Sequence, residues 1–465
     1  MSRSLQRPVR SQRINLRHCR YTFALMSANF AEQFNAENNP LFQKAVQIAN
    51  AARAQNGRAL LVGGFVRDAL LGASPKDADM EIYGIEAERL REMLRTFGKV
   101  DCVGESFRVY KLAWWQKNSS GKERFELDVS LPRRDKKIGE GHKGFEVEGD
   151  PFASIEDASR RRDFTVNAIL LDPLTSEILD PFGGREDLER RVLRVTDVQH
   201  FAEDSLRVLR AVQFAARFEM QLAFETIEIC RSINLDDLPR ERIWGEVEKW
   251  LMKSNRPSIG LLAASQLGVL EKLFPYLQTA FERREDEMRS TLDRAAAEKS
   301  DLPEGAQVTL MLAAIGVFIG RSELQKFLET LGVFKIAGVD VRKNAIVLAG
   351  ERKRVRDWFR TSGEIEDKEF RYLSARVEPR LIDKLARARG DFEAAAWFWQ
   401  KMSTLGLQDG PPAPLLMGRD LLEMGLSPGP RVGEILQTLW ARQLAGELST
   451  PEAAHEVARE LIGSR

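Results

Sequence analysis

The chain has 465 residues, enough for several hydrophobic cores, so two to four domains are expected. Hydrophobic residues make up 43% and charged ones 30%, which excludes a disorder-dominated chain, and no apolar run approaches the roughly 20 residues of a membrane helix. The 70 basic and 69 acidic side chains leave a net charge of +1, so a polyanionic partner would have to be held by local basic patches.

The first 31 residues carry six arginines and no acid before Glu32. Transit peptides and translated upstream sequence share that pattern, and the expectation is a disordered extension over 1–35 with Met26 as a candidate start. Cys19, Cys102 and Cys230 form no CxxC pair, which argues against a disulfide framework or zinc finger and for a reducing, cytoplasmic setting. From Pro40 to Gly57 apolar residues recur at helical spacing. A short strand follows at Ala59–Val62, and Gly63 and Gly64 turn the chain into a helix, Phe65–Leu71. Asp77–Tyr83, Lys99–Val103, Phe107–Ala113 and Arg124–Leu131 read as strands. Beyond about residue 175 strand signals fade and helical patterns run almost to the end, interrupted near Pro257, Leu302–Gly305 and Gly410–Pro414.

Two constellations carry chemistry. In Leu61-Val62-Gly63-Gly64-Phe65-Val66-Arg67-Asp68, glycines let backbone N–H groups approach a phosphate, the helix start adds a favourable dipole, and Arg67 can offer a charged fork. The bland alternative is a glycine turn beside a surface arginine. A strand-glycine-helix unit also invites a dinucleotide-binding reading, but the full G-x-G-x-x-G fingerprint and the repeated βαβ pattern of that fold are absent. In Lys76-Asp77-Ala78-Asp79-Met80-Glu81-Ile82-Tyr83, strand periodicity puts Asp77 and Asp79 on one face. Two such carboxylates repel unless a divalent cation neutralises them, and oxygen donors of this kind suit Mg²⁺ together with substrate phosphates. Asp128, in Phe125-Glu126-Leu127-Asp128-Val129, is either a third metal carboxylate or part of the wet side of a sheet.

These two motifs, Arg160-Arg161-Arg162-Asp163-Phe164-Thr165-Val166-Asn167-Ala168, Asp180-Pro181-Phe182-Gly183-Gly184 and Glu203-Asp204-Ser205-Leu206-Arg207-Val208-Leu209-Arg210 occur in that order. Together they resemble the class II CCA-adding tRNA nucleotidyltransferases and bacterial poly(A) polymerases, strongly over about 36–255 and moderately over Gly418–Pro430. The resemblance implies an α+β chain: a polymerase-β-like nucleotidyltransferase head with a mixed sheet, then all-α neck, body and tail. The expected boundaries are 1–35 extension, 36–175 head, 176–256 neck, 257–365 body and 366–465 tail. It implies that Gly63, Gly64 and Arg67 contact the nucleotide, Asp77 and Asp79 hold magnesium, Arg162 binds triphosphate, and Asp163 and Asn167 support the sugar and the site. The partners so implied are ATP, CTP and the tRNA 3′ end.

Glu203, Arg207, Arg210, Gln213 and Arg217 fall at helical steps opposite Leu206, Leu209, Val212 and Ala216. On its own this is an amphipathic, salt-bridged helix. Beside the family motifs, Asp204 and Arg207 gain a sharper meaning. Cytosine and adenine both present an amino donor next to a ring-nitrogen acceptor, which a carboxylate and a guanidinium would match, with Arg210 nearby for phosphate contact. Gln213 departs from the arginine that many relatives carry there. The segment Pro132–Phe152, with Arg133, Arg134, Lys136, Lys137, Lys143 and four glycines, reads as a flexible basic loop. In CCA enzymes a flexible loop of this region resembles a lever for switching from C to A. Arg352-Lys353-Arg354-Val355-Arg356-Asp357-Trp358-Phe359-Arg360 suits either RNA contact or a solvated helix face. His18, His142, His200 and His455 are not followed by aspartate, so the HD-domain metal site of many relatives is not expected. The readings that stay open are CCA addition, A-only or poly(A) addition, and an inactive RNA-binding module.

Overall fold

A computed structural model describes residues 39–103, 109–118, 121–137, 145–361 and 365–463. The amino-terminal extension, His18, Cys19, His142 and Lys143 lie outside them. The chain divides into two compact units: residues up to Asp204 together with Gln221–Ile229, and Ser205–Met220 together with Cys230 onward.

The first unit opens with helix α1, Pro40–Arg53. Pro40 suits a first helical position, and the Asn39 carboxamide caps the helix by accepting from the N–H groups of Leu41 (2.9 Å) and Phe42 (3.0 Å). Then come β1 (Arg58–Val62), α2 (Gly64–Leu70), β2 (Asp79–Tyr83), α3 (Ala87–Arg95), β3 (Lys99–Val103), β4 (Val109–Asn118) and β5 (Gly121–Ser130). Residues Leu170–Leu171 and Ile178–Leu179 complete a seven-stranded sheet in the order β3-β4-β5-β2-β1, then these two. All pairings are antiparallel except β2 with β5, which run parallel with Asp79 opposite Asp128. Leu60, Leu61, Val62, Met80, Ile82, Leu112, Leu127 and Val129 are buried, so the alternating apolar positions of β2 and β5 enter one core.

Two expectations change here. The Asp77 strand begins only at Asp79, with Asp77 ahead of it. Arg133–Lys137 and Phe145–Gly149, expected as loop, pair as an antiparallel hairpin, with 138–144 outside the described residues. Short strands also persist past residue 175: Val192–Leu193 pairs in parallel with Gln221–Leu222. The Thr226 hydroxyl accepts from Val195 N–H and donates to Leu193 carbonyl, both at 3.1 Å, joining that segment to the unit.

The second unit is helical apart from a small Lys335–Ile336/Val339–Asp340 hairpin among the described residues. Helix Glu304–Gly316 is buried nearly all round, as its unbroken apolar sequence requires, and other helices wrap it. Ser258 is tied down at the start of its helix by Asp293, which accepts from its N–H (2.9 Å) and hydroxyl (2.7 Å). The basic-aromatic run of helix Val341–Thr361 turns inward more than expected. Trp358 packs on Phe370 (centroids 5.3 Å apart) and Phe359 on Trp397 (6.0 Å), so these half-buried rings take part in packing between helices. Near the end, Leu416, Leu421, Leu426, Ile435, Leu439 and Leu448 form a separate small core. No helix among the described residues is long and apolar enough to cross a membrane.

Candidate functional site

Gly63 closes β1 with φ +68° and ψ −131°, a backbone conformation that side chains resist, and α2 starts immediately after it. A Cβ at Gly63 would lie 3.3 Å from Arg162 Nη1 and 3.8 Å from Asp79 Oδ2. The glycine turn, the β2 carboxylate and the Arg162 fork therefore surround one spot.

Asp77 and Asp79 are exposed while Ala78 and Met80 are buried, the alternation expected of a strand edge. Although solvent reaches Asp79, the protein crowding it raises its pKa. Asp128, Asp77 and Glu81 push the same way, and Arg162 opposes them. Asp128 lies level with Asp79 across the parallel ladder, with its carboxylate 3.3 Å from Lys111 Nζ. Among the described residues no three acidic, histidine or cysteine side chains close into a cage. Oxygen donors gathered in this way, with the Asp79 pKa raised, fit a divalent cation that completes its shell with water and phosphate oxygens.

Glu81, which the sequence reading passed over, organises the arginine. One of its oxygens accepts from Arg162 Nη2 at 2.6 Å, the other from Tyr83 hydroxyl at 2.9 Å. Burial works against the Arg162 charge, but Glu81, Tyr83 and Asp79 outweigh it and hold its pKa above the ordinary value. Arg162 Nε is buried without a hydrogen-bond partner, a donor suited to an anion at the Gly63 turn. Glu81 was legible in principle, since it continues the Asp77, Asp79 alternation.

Arg67 is only 5% exposed. Its guanidinium pairs with Asp68 at 2.6 Å and donates to Asn167 Oδ1 at 2.6 Å, and Asn167 Nδ2 donates to Asp163 Oδ1 at 2.9 Å. Arg67, Asp163 and Asn167 thus form one buried network beneath the turn. The Asp180-Pro-Phe-Gly-Gly motif braces it. Asp180 accepts from the N–H groups of Gly184 (2.8 Å) and Arg185 (2.9 Å), capping helix Gly184–Arg190. A Cβ on Gly184 would fall 2.1 Å from Thr165 carbonyl oxygen, and Thr165 hydroxyl donates to Asp187 at 2.7 Å.

Helix Leu206–Phe218 starts after Glu203 and Asp204, so neither lies within it. Arg207 and Arg210 are half-buried on it, and the Arg210 guanidinium sits 5.2 Å from the Phe214 ring centroid. Gln213, expected on the wet face, is 1% exposed and accepts from Arg217 at 3.1 Å. A neutral amide there avoids burying another charge.

Residues 59–194 match the Poly A polymerase head domain family, and 222–281 match the family described as the probable RNA and SrmB-binding site of polymerase A. Over these residues the chain is similar to the CCA-adding enzymes and poly(A) polymerases. Nucleotidyltransferases of this family generally use divalent metals. The Multifunctional CCA protein of Nitrosococcus oceani is 37% identical over 227 residues, 48% of this chain and 51% of that protein. Its Chromobacterium violaceum counterpart is 33% identical over 277 residues, 56% and 62% respectively. The chain spans about half the length of most of these curated relatives. In fold it is similar to the Bacillus stearothermophilus CCA-adding enzyme in complex with CTP (TM-score 0.62, 23% identity, 90% of this chain and 98% of that one). It is likewise similar to the Thermotoga maritima CCA-adding enzyme complexed with tRNA (TM-score 0.63, 19% identity, 93% and 98%). The mixed-sheet head followed by helices is the α+β architecture of these enzymes.

Proposed function

We propose that the chain transfers CMP and AMP from CTP and ATP to the 3′ end of tRNA without a template, by metal-assisted nucleotidyl transfer, in the cytoplasm. The observation that carries this reading is the meeting of Gly63, Asp79 and Arg162 at one spot. In this reading Asp77 and Asp79 hold Mg²⁺, with Asp128 level with Asp79 as a further oxygen donor. Bound Mg²⁺ would supply the positive charge that makes the tRNA 3′-hydroxyl a better nucleophile and favours pyrophosphate departure. Gly63 and Gly64 leave room for the phosphates, and Arg162, steadied by Glu81, offers Nε and Nη1 to their oxygens. Arg67, with both its neighbours Asp68 and Asn167 engaged, fixes the shape of the turn as well as adding charge beneath the phosphates. Asp163 and Asn167 hold that arrangement and support the sugar.

Asp204 and Arg207 would choose the base, accepting from the amino group and donating to the ring nitrogen of cytosine or adenine. Uracil and guanine present the opposite order and would leave polar groups unpaired, at about 1–3 kcal/mol each. Arg210 would add phosphate contact. The division into neck 176–256, body 257–365 and tail 366–465 belongs to the same proposal, with the helical part holding tRNA.

The test is incubation of the full chain with tRNA lacking its CCA end, with CTP alone, ATP alone and both, followed by product sequencing. Two C residues with CTP alone and a terminal A only after ATP is added are expected. Addition of A alone would replace this reading with an A-adding or poly(A) activity, and no addition at all with that of an RNA-binding module.

A further inference from the structure

The second unit contains a cavity of about 660 Å³ between the end of helix Glu304–Gly316, the turn 317–320, the start of helix Arg321–Leu331 and one face of helix Val341–Thr361. Among the described residues lining it are the bases Arg284, Arg321, Arg352, Lys353, Arg356 and Arg376, against one acid, Glu351. Their internal neutralisation is incomplete. Arg376 pairs with Glu351 at 2.9 Å, Arg356 with the adjacent Asp357 at 2.8 Å, Arg352 with Asp391, and Arg284 donates to the Phe318 carbonyl. Arg321 and Lys353 are exposed and have no ion pair among the described residues.

Arg352 is the telling member. It is 5% exposed, and its Nε is buried without a hydrogen-bond partner. Burial, with Arg389 and Arg356 close by, holds its pKa down at about 10 despite Asp391, so it stays charged at neutral pH in cationic surroundings. An orphaned guanidinium donor among converging cations is costly unless an anion completes it. The cavity lies within the 300–1,000 Å³ range typical of small-molecule sites, and its Phe318, Ile319 and Ile346 wall offers apolar contact beside the charges. RNA strands, in contrast, are gripped by cations spread along their length.

We propose that this cavity binds a phosphorylated small molecule of nucleotide size, its phosphates held by Arg352, Arg321 and Lys353. None of the residues assigned above to the metal, the triphosphate or the base lines this cavity.

Hydrogen-exchange mass spectrometry on the full chain, titrated with inorganic triphosphate in the presence of a chelator, tests it. Slower exchange is expected in segments 316–324 and 346–356. The double variant Arg321→Gln/Lys353→Gln changes only exposed side chains. It should show the same exchange as the parent without ligand, and an apparent affinity at these segments weaker by about ten-fold or more. The proposal is overturned if neither segment slows at triphosphate concentrations that protect 58–70, or if the variant is protected as well as the parent. Slowing produced only by tRNA would also overturn it, making the cavity part of an RNA grip.

Discussion

Replacing Asn167 with alanine separates two roles for that side chain. The carboxamide joins two buried charged groups, accepting from Arg67 at 2.6 Å and donating to Asp163 at 2.9 Å. Arg67 keeps Asp68, and Asp163 keeps the Phe164 N–H at 2.8 Å, so each loses one partner rather than all. Because each keeps another partner, the lower part of the unpaired-group penalty applies, about 1–2 kcal/mol each, and the loss is about 2–4 kcal/mol. Against the roughly 5–15 kcal/mol that holds a typical domain together, this is a large share, and it corresponds to a melting shift of about 5–15 °C for a unit of this size. Because the chain has two units, unfolding of the first is best followed by hydrogen exchange of peptides from β1 and β2 across a urea series. Asn167→Asp keeps the acceptor for Arg67 but turns a carboxylate toward Asp163, so it too should open early. If Asn167→Ala instead leaves exchange unchanged and only raises KM for the nucleotide, Asn167 touches substrate and does not act as a bridge.

Asp79→Asn should abolish nucleotide addition yet raise the melting temperature of the metal-free protein at neutral pH. A carboxyl whose pKa is raised in the fold is penalised when ionised, so the gain should shrink as pH falls through that raised pKa and Asp79 takes up its proton. A variant less stable than the parent at pH 7 in chelator would contradict the assigned crowding. Gly63→Ala should cost about 1–3 kcal/mol through its φ of +68° and weaken triphosphate binding by pressing on Arg162, read as a rise in KM for CTP and ATP. An unchanged KM would place the phosphates elsewhere. Phe370→Ala should destabilise the second unit by about 3–5 kcal/mol, since Phe370 is fully buried against Trp358, Trp397 and Phe398. Chemical denaturation showing under 1 kcal/mol of change would mean these rings repack freely.

Local patterns in the chain carried much of the first unit. The α1 periodicity ending near Gly57, the diglycine turn and the β5 alternation all correspond to elements within a few residues. Those signals are short-range, set by pleat, turn and cap. What stayed hidden depends on partners distant in sequence. Glu81 meets Arg162 across 81 positions, and Arg67 meets Asn167 across 100, so no spacing rule identifies either pair. Gln213 looked like part of a wet stripe because helical periodicity says which residues share a face, and neighbouring helices decide whether that face is covered. Trp358 and Phe359 were left open between RNA contact and a solvated face, and their packing on Phe370 and Trp397 likewise depends on helices distant in sequence.

The Asp79–Glu81 spacing has one more consequence. Two residues along an extended chain span about 6.5–7 Å, and both side chains leave the same face of β2. One anchors the acidic edge of the site, and the other holds the Arg162 fork. The strand therefore acts as a ruler between them, its length set by the pleat and pinned by pairing on both sides. Evolution can lengthen the hairpins and exchange the helices around such a ruler, but it cannot adjust one end without moving the other.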